Sequence, residues 1–177
     1  MTPSEAEAEL TSTNRPVSAA RSRLDTWRAK VSNVFDTDLT QKRPFIILAI
    51  VFYLARLPYI NEGYGTDPDA WRVVMTAQHL WDKGQYFPSR LPGNPLHEFV
   101  VALLLPGGWL LTGFATMTVS LVGVYVFGRI LKQLSLPMPG LMTIGFAFTP
   151  LLYINSIATM DYMWGLTCLL GLSLIHI

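Results

Sequence analysis

Three aspartates are candidates for chemistry, because few other charged residues surround them. Asp67 and Asp69 flank a proline in GYGTDPDAWRVVMTAQHLWDKG, and Asp161 lies in INSIATMDYMWGL between uncharged stretches of 28 and 16 residues. A carboxylate can act as a general base toward a hydroxyl group, and several carboxylates together can bind a divalent cation. The residue types therefore indicate acid–base chemistry or metal binding.

Each aspartate also has an ordinary structural explanation. Asp67 precedes Pro68, which is typical of a helix N-cap followed by proline at the first helical position. Asp69 would then favour the positive end of the helix dipole, and Asp161 is compatible with the cap of an interfacial helix. These alternatives stay open, although acidic residues beside a bilayer are costly and commonly functional.

Several basic residues are candidate ligands for an anionic group. Arg56 lies near the end of the first apolar run, where phosphate binding and snorkelling of the side chain to the headgroups are equally compatible with its position. Arg72, Lys83 and Arg90 follow in a more polar segment. Each of these three, taken alone, is more often a solvated charge than a phosphate ligand.

The composition predicts an integral membrane protein. Of 177 residues, 51% are hydrophobic and 14% are charged, whereas soluble domains carry about 25% charged residues. Seven of the 13 basic and six of the 12 acidic residues fall within the first 43 positions. This distribution excludes a soluble globular domain, a nucleic-acid-binding protein and a disordered tail protein, and the only cysteine, Cys168, excludes an internal disulfide.

The chain divides into a polar head, residues 1–43, and an apolar part, residues 44–177. Residues 1–20 are predicted to be disordered. Leu24, Trp27, Val31 and Val34 recur at helical spacing among basic residues, which predicts an amphipathic helix that either lies on the cytoplasmic lipid surface or is solvated. No signal peptide is recognisable, so the first apolar run is expected to remain as an anchor.

The apolar part is predicted to be all-α and multi-pass, with spans at about 44–60, 112–131, 139–157 and 162–177. Basic residues beside the predicted spans place the N-terminus and the loop near 130 in the cytoplasm; they are Lys42, Arg43, Arg129 and Lys132. Residues 61–111 then form an external loop, and Asp161 emerges at the same outer face. A bacterial inner membrane is the expected location.

The external loop is predicted to carry helices that lie along the membrane surface. Gly63 and Gly65 end the first span, and a helix runs from the Asp67 cap to Gly84. Its apolar stripe consists of Ala70, Val73, Val74, Ala77, Leu80 and Trp81. The break at Pro106-Gly107-Gly108 predicts an interfacial or re-entrant piece after residue 99. The aromatic residues expected at the interface are Trp71, Trp81, Tyr86 and Phe87.

These features together resemble a known family. The first span ends near an arginine, an acidic pair opens a surface helix, GQYFPSRLPGNPLHEF and a further interfacial helix follow, and an acid comes after the third crossing. This arrangement resembles the polyprenyl-phosphate-sugar-dependent glycosyltransferases of the C superfamily, most of all family 39, the protein O-mannosyltransferase and aminoarabinose-transferase type. The resemblance covers roughly residues 43–177, the N-terminal third of such an enzyme.

The resemblance implies transfer of a sugar from a polyprenyl phosphate to a hydroxyl acceptor on a protein, lipid or glycan at the outer face. The family's catalytic base, an aspartate of the first external loop, maps to Asp69 or Asp67, and its second-loop acid maps to Asp161. The Asp-Pro-Asp sequence departs from the commoner adjacent acidic pair, which leaves the identity of the base open. Binding of Mg²⁺ or Mn²⁺ by these three aspartates also stays open.

The leaving phosphate needs positive charge nearby, a role for Arg90 or Arg56 with Arg72 as a further candidate. We expect a single inverting displacement at the anomeric carbon. The alternative is a non-catalytic membrane protein, either part of a transporter or a lipid-carrier flippase.

The last residues of the chain, Ser173 to Ile177, resemble translated adapter read-through. They predict a truncated fragment that is expected to lack activity without its remaining spans.

Overall fold

The computed structural model describes residues 25–27, 29, 31–33 and 35–177. These residues form helices, turns and loops without any β-strand, so the predicted all-α class is confirmed for them. The described residues between 25 and 35 are helical, in agreement with the helix predicted there. The disorder predicted for residues 1–20, and Leu24 and Val34 of the amphipathic stripe, lie outside the described residues.

From residue 36 onward the chain contains seven α-helices and two short 3₁₀ helices. The α-helices are α1 Lys42–Arg56, α2 Pro68–Lys83, α3 Pro95–Leu104, α4 Gly108–Gln133, α5 Pro139–Phe148, α6 Pro150–Asn155 and α7 Tyr162–His176. The 3₁₀ helices Leu57–Glu62 and Leu105–Gly107 continue α1 and connect α3 to α4.

Two of these helical stretches are long and apolar enough to cross a membrane. They are Lys42–Glu62, with 21 residues, and Pro95–Gln133, with 39 residues, and they contain the predicted spans 44–60 and 112–131. The apolar helices α5 and α7 are shorter. Length and composition thus support membrane association, while the other two predicted spans do not form helices of spanning length.

The predicted span 139–157 consists of two helices and not of one continuous helix. Helix α5 ends at Phe148 and α6 begins at Pro150, with Thr149 between them at φ −57° and ψ 129°. A residue before proline is disfavoured in the helical region because the proline ring crowds its backbone. Pro150 therefore forces an extended residue into the segment and divides it.

The long helices alternate in direction. Lys132 near the end of α4 contacts Asp38 just before α1, with Nζ 2.6 Å from Oδ2, so α1 and α4 are antiparallel. Phe127 of α4 stacks on Phe146 of α5, and Thr167 of α7 donates a hydrogen bond to the carbonyl of Val119. The ends of α1 and α6 and the starts of α2, α4 and α7 consequently meet at one end of the assembly.

Small residues allow α4 and α7 to approach closely. A Cβ atom added at Gly123 would lie 2.6 Å from Thr167 Oγ1. Thr112, Thr116 and Ser120 are buried on α4, and Thr116 and Ser120 donate to carbonyls one turn earlier in the helix. Small and hydroxyl-bearing residues at helix contacts are typical of packing in a lipid environment, where van der Waals contact replaces the hydrophobic effect.

Helix α2 packs on α3 through its predicted apolar stripe. Val73 and Ala77 form a buried cluster with Val101 and Ala102 of α3, and Leu80 packs against it. Trp81 belongs to the predicted stripe but is 57% exposed. The stripe of α2 is thus occupied mainly by another helix, and this packing places the start of α2 beside the loop that leads into α3.

Candidate functional site

Arg90 lies between two of the predicted aspartates. Its Nη1 is 3.0 Å from Asp69 Oδ2, and its Nη2 is 2.5 Å from Asp161 Oδ1. Arg72 adds a further contact, with Nη1 3.1 Å from Asp69 Oδ1. We refer to Asp69, Arg72, Arg90 and Asp161 as the charged cluster. It brings together residues from three separate segments of the chain.

Asp69 owes its position to the start of α2. Asp67 has an extended backbone, and its side chain accepts a hydrogen bond of 2.8 Å from the Asp69 N–H, with Pro68 at the first helical position. The predicted N-cap role of Asp67 is therefore confirmed. The left-handed Gly84, with φ +63°, ends the same helix as predicted. Because Asp67 is engaged in capping, Asp69 is the residue whose carboxylate faces Arg90.

Asp161 occupies the position before α7, yet its side chain makes no capping hydrogen bond among the described residues. Its carboxylate turns to Arg90 instead, 71 positions away in sequence. The segment before it is held by the Thr159 N–H, which donates to the Tyr64 carbonyl over 2.8 Å. The capping alternative for Asp161 therefore does not describe its side chain.

Glu98 of α3 holds the loop that carries Arg90, and the sequence reasoning missed this role. The residue is 1% exposed, and its carboxylate accepts hydrogen bonds from the Tyr86 hydroxyl, the Ser89 hydroxyl and the Ser89 N–H. Partial burial, with the hydrogen bond to Glu98 and the charge of Glu98, raises the pKa of Tyr86 to about 12. A single acid in an otherwise apolar stretch, PLHEFVVALL, was the available signal, because such an acid needs partners.

The environment of Arg90 favours a charged guanidinium. Polar interaction with the Tyr162 side chain raises its pKa, burial opposes this, and the charge and hydrogen bond of Asp161 raise it further. The guanidinium carbon also lies 5.5 Å from the centre of the Tyr162 ring. Arg90 is thus a permanent positive charge fixed beside α7.

The charged cluster is partly open to its surroundings. The exposed fractions of the Arg90, Asp69 and Asp161 side chains are 28%, 29% and 19%, and that of Arg72 is 61%. A guanidinium has five N–H donors. Asp69 accepts from Nη1 of Arg90, and Asp161 accepts from Nη2. Donors therefore remain on Arg90 for an anionic ligand.

Arg56 lies apart from the charged cluster, in the interior of the helix assembly. It is fully buried, and its Nε donates to Ser156 Oγ over 2.6 Å while its Nη2 donates to the Ala147 carbonyl over 2.7 Å. Its guanidinium carbon is 3.4 Å from the centre of the Phe52 ring. The side chain turns inward and satisfies a carbonyl at the end of α5, where the Pro150 break leaves carbonyls without helical partners.

The predicted acidic residues do not form an evident metal site. Among the described residues, no three His, Cys, Asp or Glu side chains are grouped to bind a metal ion. Asp69 and Asp161 converge on the Arg90 guanidinium, and Asp67 is turned to the Asp69 N–H. Because both of the clustered carboxylates are paired with a guanidinium, this donor set does not fit a divalent cation.

A groove of about 260 Å³ borders the charged cluster between the starts of α3 and α7. Asp161 lines it, together with Asn94, His97, Trp164 and Cys168. The four aromatic residues predicted for the interface are exposed; they are Trp71, Trp81, Tyr86 and Phe87.

Comparison of the chain with protein-family models, with curated protein sequences and with solved structures gives no match.

Proposed function

We propose that the protein acts in glycosyl transfer, moving a sugar from a polyprenyl-phosphate donor to a hydroxyl acceptor at the outer membrane surface. The observation that carries the proposal is the convergence of Asp69 and Asp161 on Arg90 at one end of the apolar helices. An anion-binding group beside carboxylates that can accept a proton is what such a transfer requires.

In this reaction Arg90 binds the donor phosphate through N–H groups that the carboxylates leave free. Arg72, which is largely exposed and bound to Asp69, supplies a second positive charge. Both charges stabilise the phosphate as it leaves, so the leaving group needs no proton donor. The polyprenyl chain extends along the exposed apolar surface of the helices.

Asp69 serves as the base in the proposed mechanism. Its carboxylate takes the proton of the acceptor hydroxyl while the acceptor oxygen attacks the anomeric carbon. The bond between that carbon and the phosphate oxygen breaks, and its electron pair leaves with the polyprenyl phosphate. One displacement of this kind inverts the anomeric configuration. Asp161 keeps Arg90 in place through its ion pair.

The proposed topology has four crossings, with α5 and α6 forming a broken third span and α7 the fourth. The alternating direction of these helices supports the proposal, since it brings Asp161 to the same end as Asp69. The opposite end carries Lys42, Arg43, Arg129 and Lys132, which suits the cytoplasmic side of a bacterial inner membrane.

The second candidate is a lipid-carrier flippase or another non-catalytic protein that binds the same phosphate. It is favoured by one observation: Arg90 already engages both carboxylates, so the cluster also suits binding without a base. The two functions differ in what Asp69 must do. A carrier-binding protein tolerates an amide at this position, whereas a transferase does not.

The experiment compares Asp69→Asn and Asp161→Asn with the control Asp82→Asn, an exposed residue later on α2. We expect Asp69→Asn to lower sugar transfer from polyprenyl-phosphate donors at least a hundredfold in membranes containing the full-length protein, because general-base catalysis contributes about 10²–10⁴-fold. The control variant should retain activity. Equal binding of polyprenyl phosphate by the wild-type protein and Asp69→Asn, with sugar transfer by neither, would favour the flippase. Absence of any carrier binding to the wild-type protein would refute both candidates.

A further inference from the structure

His97 is buried beside the charged cluster without a hydrogen-bond partner. The residue is 4% exposed, and neither of its ring nitrogens has a partner among the described residues. The indole Nε1 of Trp164 is likewise buried and unpaired within the described part of the chain. Buried polar atoms are normally paired, because leaving them unpaired costs free energy. Two neighbouring residues with this property need an explanation.

Packing alone does not explain these nitrogens. The rings of His97 and Trp164 meet edge to face, with their centres 5.4 Å apart. A phenylalanine at either position would provide the same aromatic contact without burying an unpaired nitrogen. The nitrogens therefore point to a partner that enters from outside the protein.

Both rings line the groove of about 260 Å³ that Asp161 shares with the charged cluster. At about 30 Å³ per water in the liquid, this volume matches roughly nine water molecules, which suits one sugar ring. The lining combines an indole and an imidazole with the carboxylate of Asp161 and the amide of Asn94. Such a wall fits a ligand with both apolar C–H faces and hydroxyl groups.

We propose that this groove binds the sugar ring of the glycosyl donor, with His97 and Trp164 as hydrogen-bonding partners of its hydroxyl groups. Because these nitrogens are buried in the structure, binding requires small rotations of the two rings toward the groove. Neutral histidine offers one donor and one acceptor, and the indole offers one donor. The inference rests on the proposed function, since Arg90 beside Asp161 holds the phosphate next to the bound sugar.

The test separates recognition of the sugar from recognition of the phosphate. Purified full chain in lipid nanodiscs is titrated with short-chain polyprenyl phosphate and with its mannosyl, glucosyl and pentosyl phosphodiesters. The variants are His97→Phe and Trp164→Phe, which keep an aromatic ring, and the control is His176→Phe, an exposed histidine at the end of α7. Circular dichroism and gel filtration monitor folding.

We expect each groove variant to bind at least one glycosyl phosphodiester about tenfold more weakly than the wild-type protein, while binding of the sugar-free phosphate changes less than twofold. The control should match the wild-type protein for every ligand. Equal loss for both kinds of ligand in both variants would mean a structural role and overturn the inference, as would unchanged binding. A wild-type protein that binds none of the phosphates refutes the proposed function itself.

Discussion

At one end of the helix assembly, Asp38 and Lys132 form a single ion pair, whereas the opposite end gathers several charged side chains around Arg90. The first pair joins the start of α1 to the end of α4, with 59% of the Lys132 side chain exposed. The charged cluster instead joins α2, the loop before α3 and the start of α7. The first arrangement suits a simple contact between helix ends.

The Asp38–Lys132 pair and the charged cluster also differ in the residues that hold them in place. Asp38 also accepts hydrogen bonds from the N–H and hydroxyl of Thr40, so its partners are local apart from Lys132. Arg90 depends on a loop that the buried Glu98 holds, and beside it His97 has unpaired nitrogens. A site that keeps unpaired polar groups beside fixed charges is arranged for a ligand, while Asp38 at the other end is satisfied by Thr40 and Lys132.

The largest loss of stability is expected from Glu98→Ala, at the end that carries the charged cluster. The change leaves the Ser89 N–H and the Tyr86 hydroxyl without their carboxylate partner, which should lower the free energy of unfolding by about 3 kcal/mol. Unfolding in detergent micelles, followed by circular dichroism, measures the loss. The matched control is Glu62→Ala, an exposed acid for which we expect a change within about 0.5 kcal/mol. Equal effects of the two substitutions would show that the Glu98 contacts are not stabilising.

A smaller loss of stability is expected from Arg90→Gln. Without the guanidinium, Asp69 and Asp161 face each other with no cation between them, which should cost about 2 kcal/mol because the three groups are only partly exposed. Combining Arg90→Gln with Asp161→Asn should restore part of the loss. If the double variant is as unstable as the sum of the single variants, the two residues are not coupled in the way the structure indicates.

The smallest loss of stability is expected from Lys132→Gln, at the end that carries the Asp38–Lys132 pair. Burial by itself raises the pKa of Asp38, but the hydrogen bonds from Lys132 and Thr40 outweigh it and lower this pKa to about 2. The pair therefore stabilises the fold above the ordinary carboxyl pKa of about 4, and its contribution disappears as the pH falls toward 2. We expect a loss of less than about 1 kcal/mol at pH 7, because Lys132 is exposed and screened.

Unfolding of the wild-type and Lys132→Gln proteins at pH 7 and pH 2.5 measures this contribution. The difference between the two proteins should shrink at the lower pH. A difference that grows on acidification would contradict the assigned ion pair.

The ends of α2 were predictable from sequence because they depend on neighbouring residues. Asp67, Pro68 and Gly84 act within one turn of the helix end, and the structure places all three as expected. The break after Phe148 depends equally on a local rule, since Pro150 disfavours helical backbone at Thr149. Pro150 therefore predicts a break within the apolar stretch 139–157, which hydropathy alone does not show.

The contacts of the charged cluster were only partly predictable. Charge and topology placed Asp69 and Asp161 at the same end, but the position of Arg90 between them depends on how the loop before α3 folds. Glu98 sets that loop through contacts that no local pattern encodes. Arg56 shows the same limit, because its partner Ser156 lies 100 positions away.

The helical class, the apolar stretches and the signals that start and end α2 can all be read from the order of the residues. These follow from side-chain polarity and backbone preferences, which act within a few residues. The order of the residues does not show that Arg90 joins Asp69 to Asp161, that Arg56 turns inward or that His97 meets Trp164 beside a groove. Such contacts depend on helix packing, which sets distances between residues far apart in the chain.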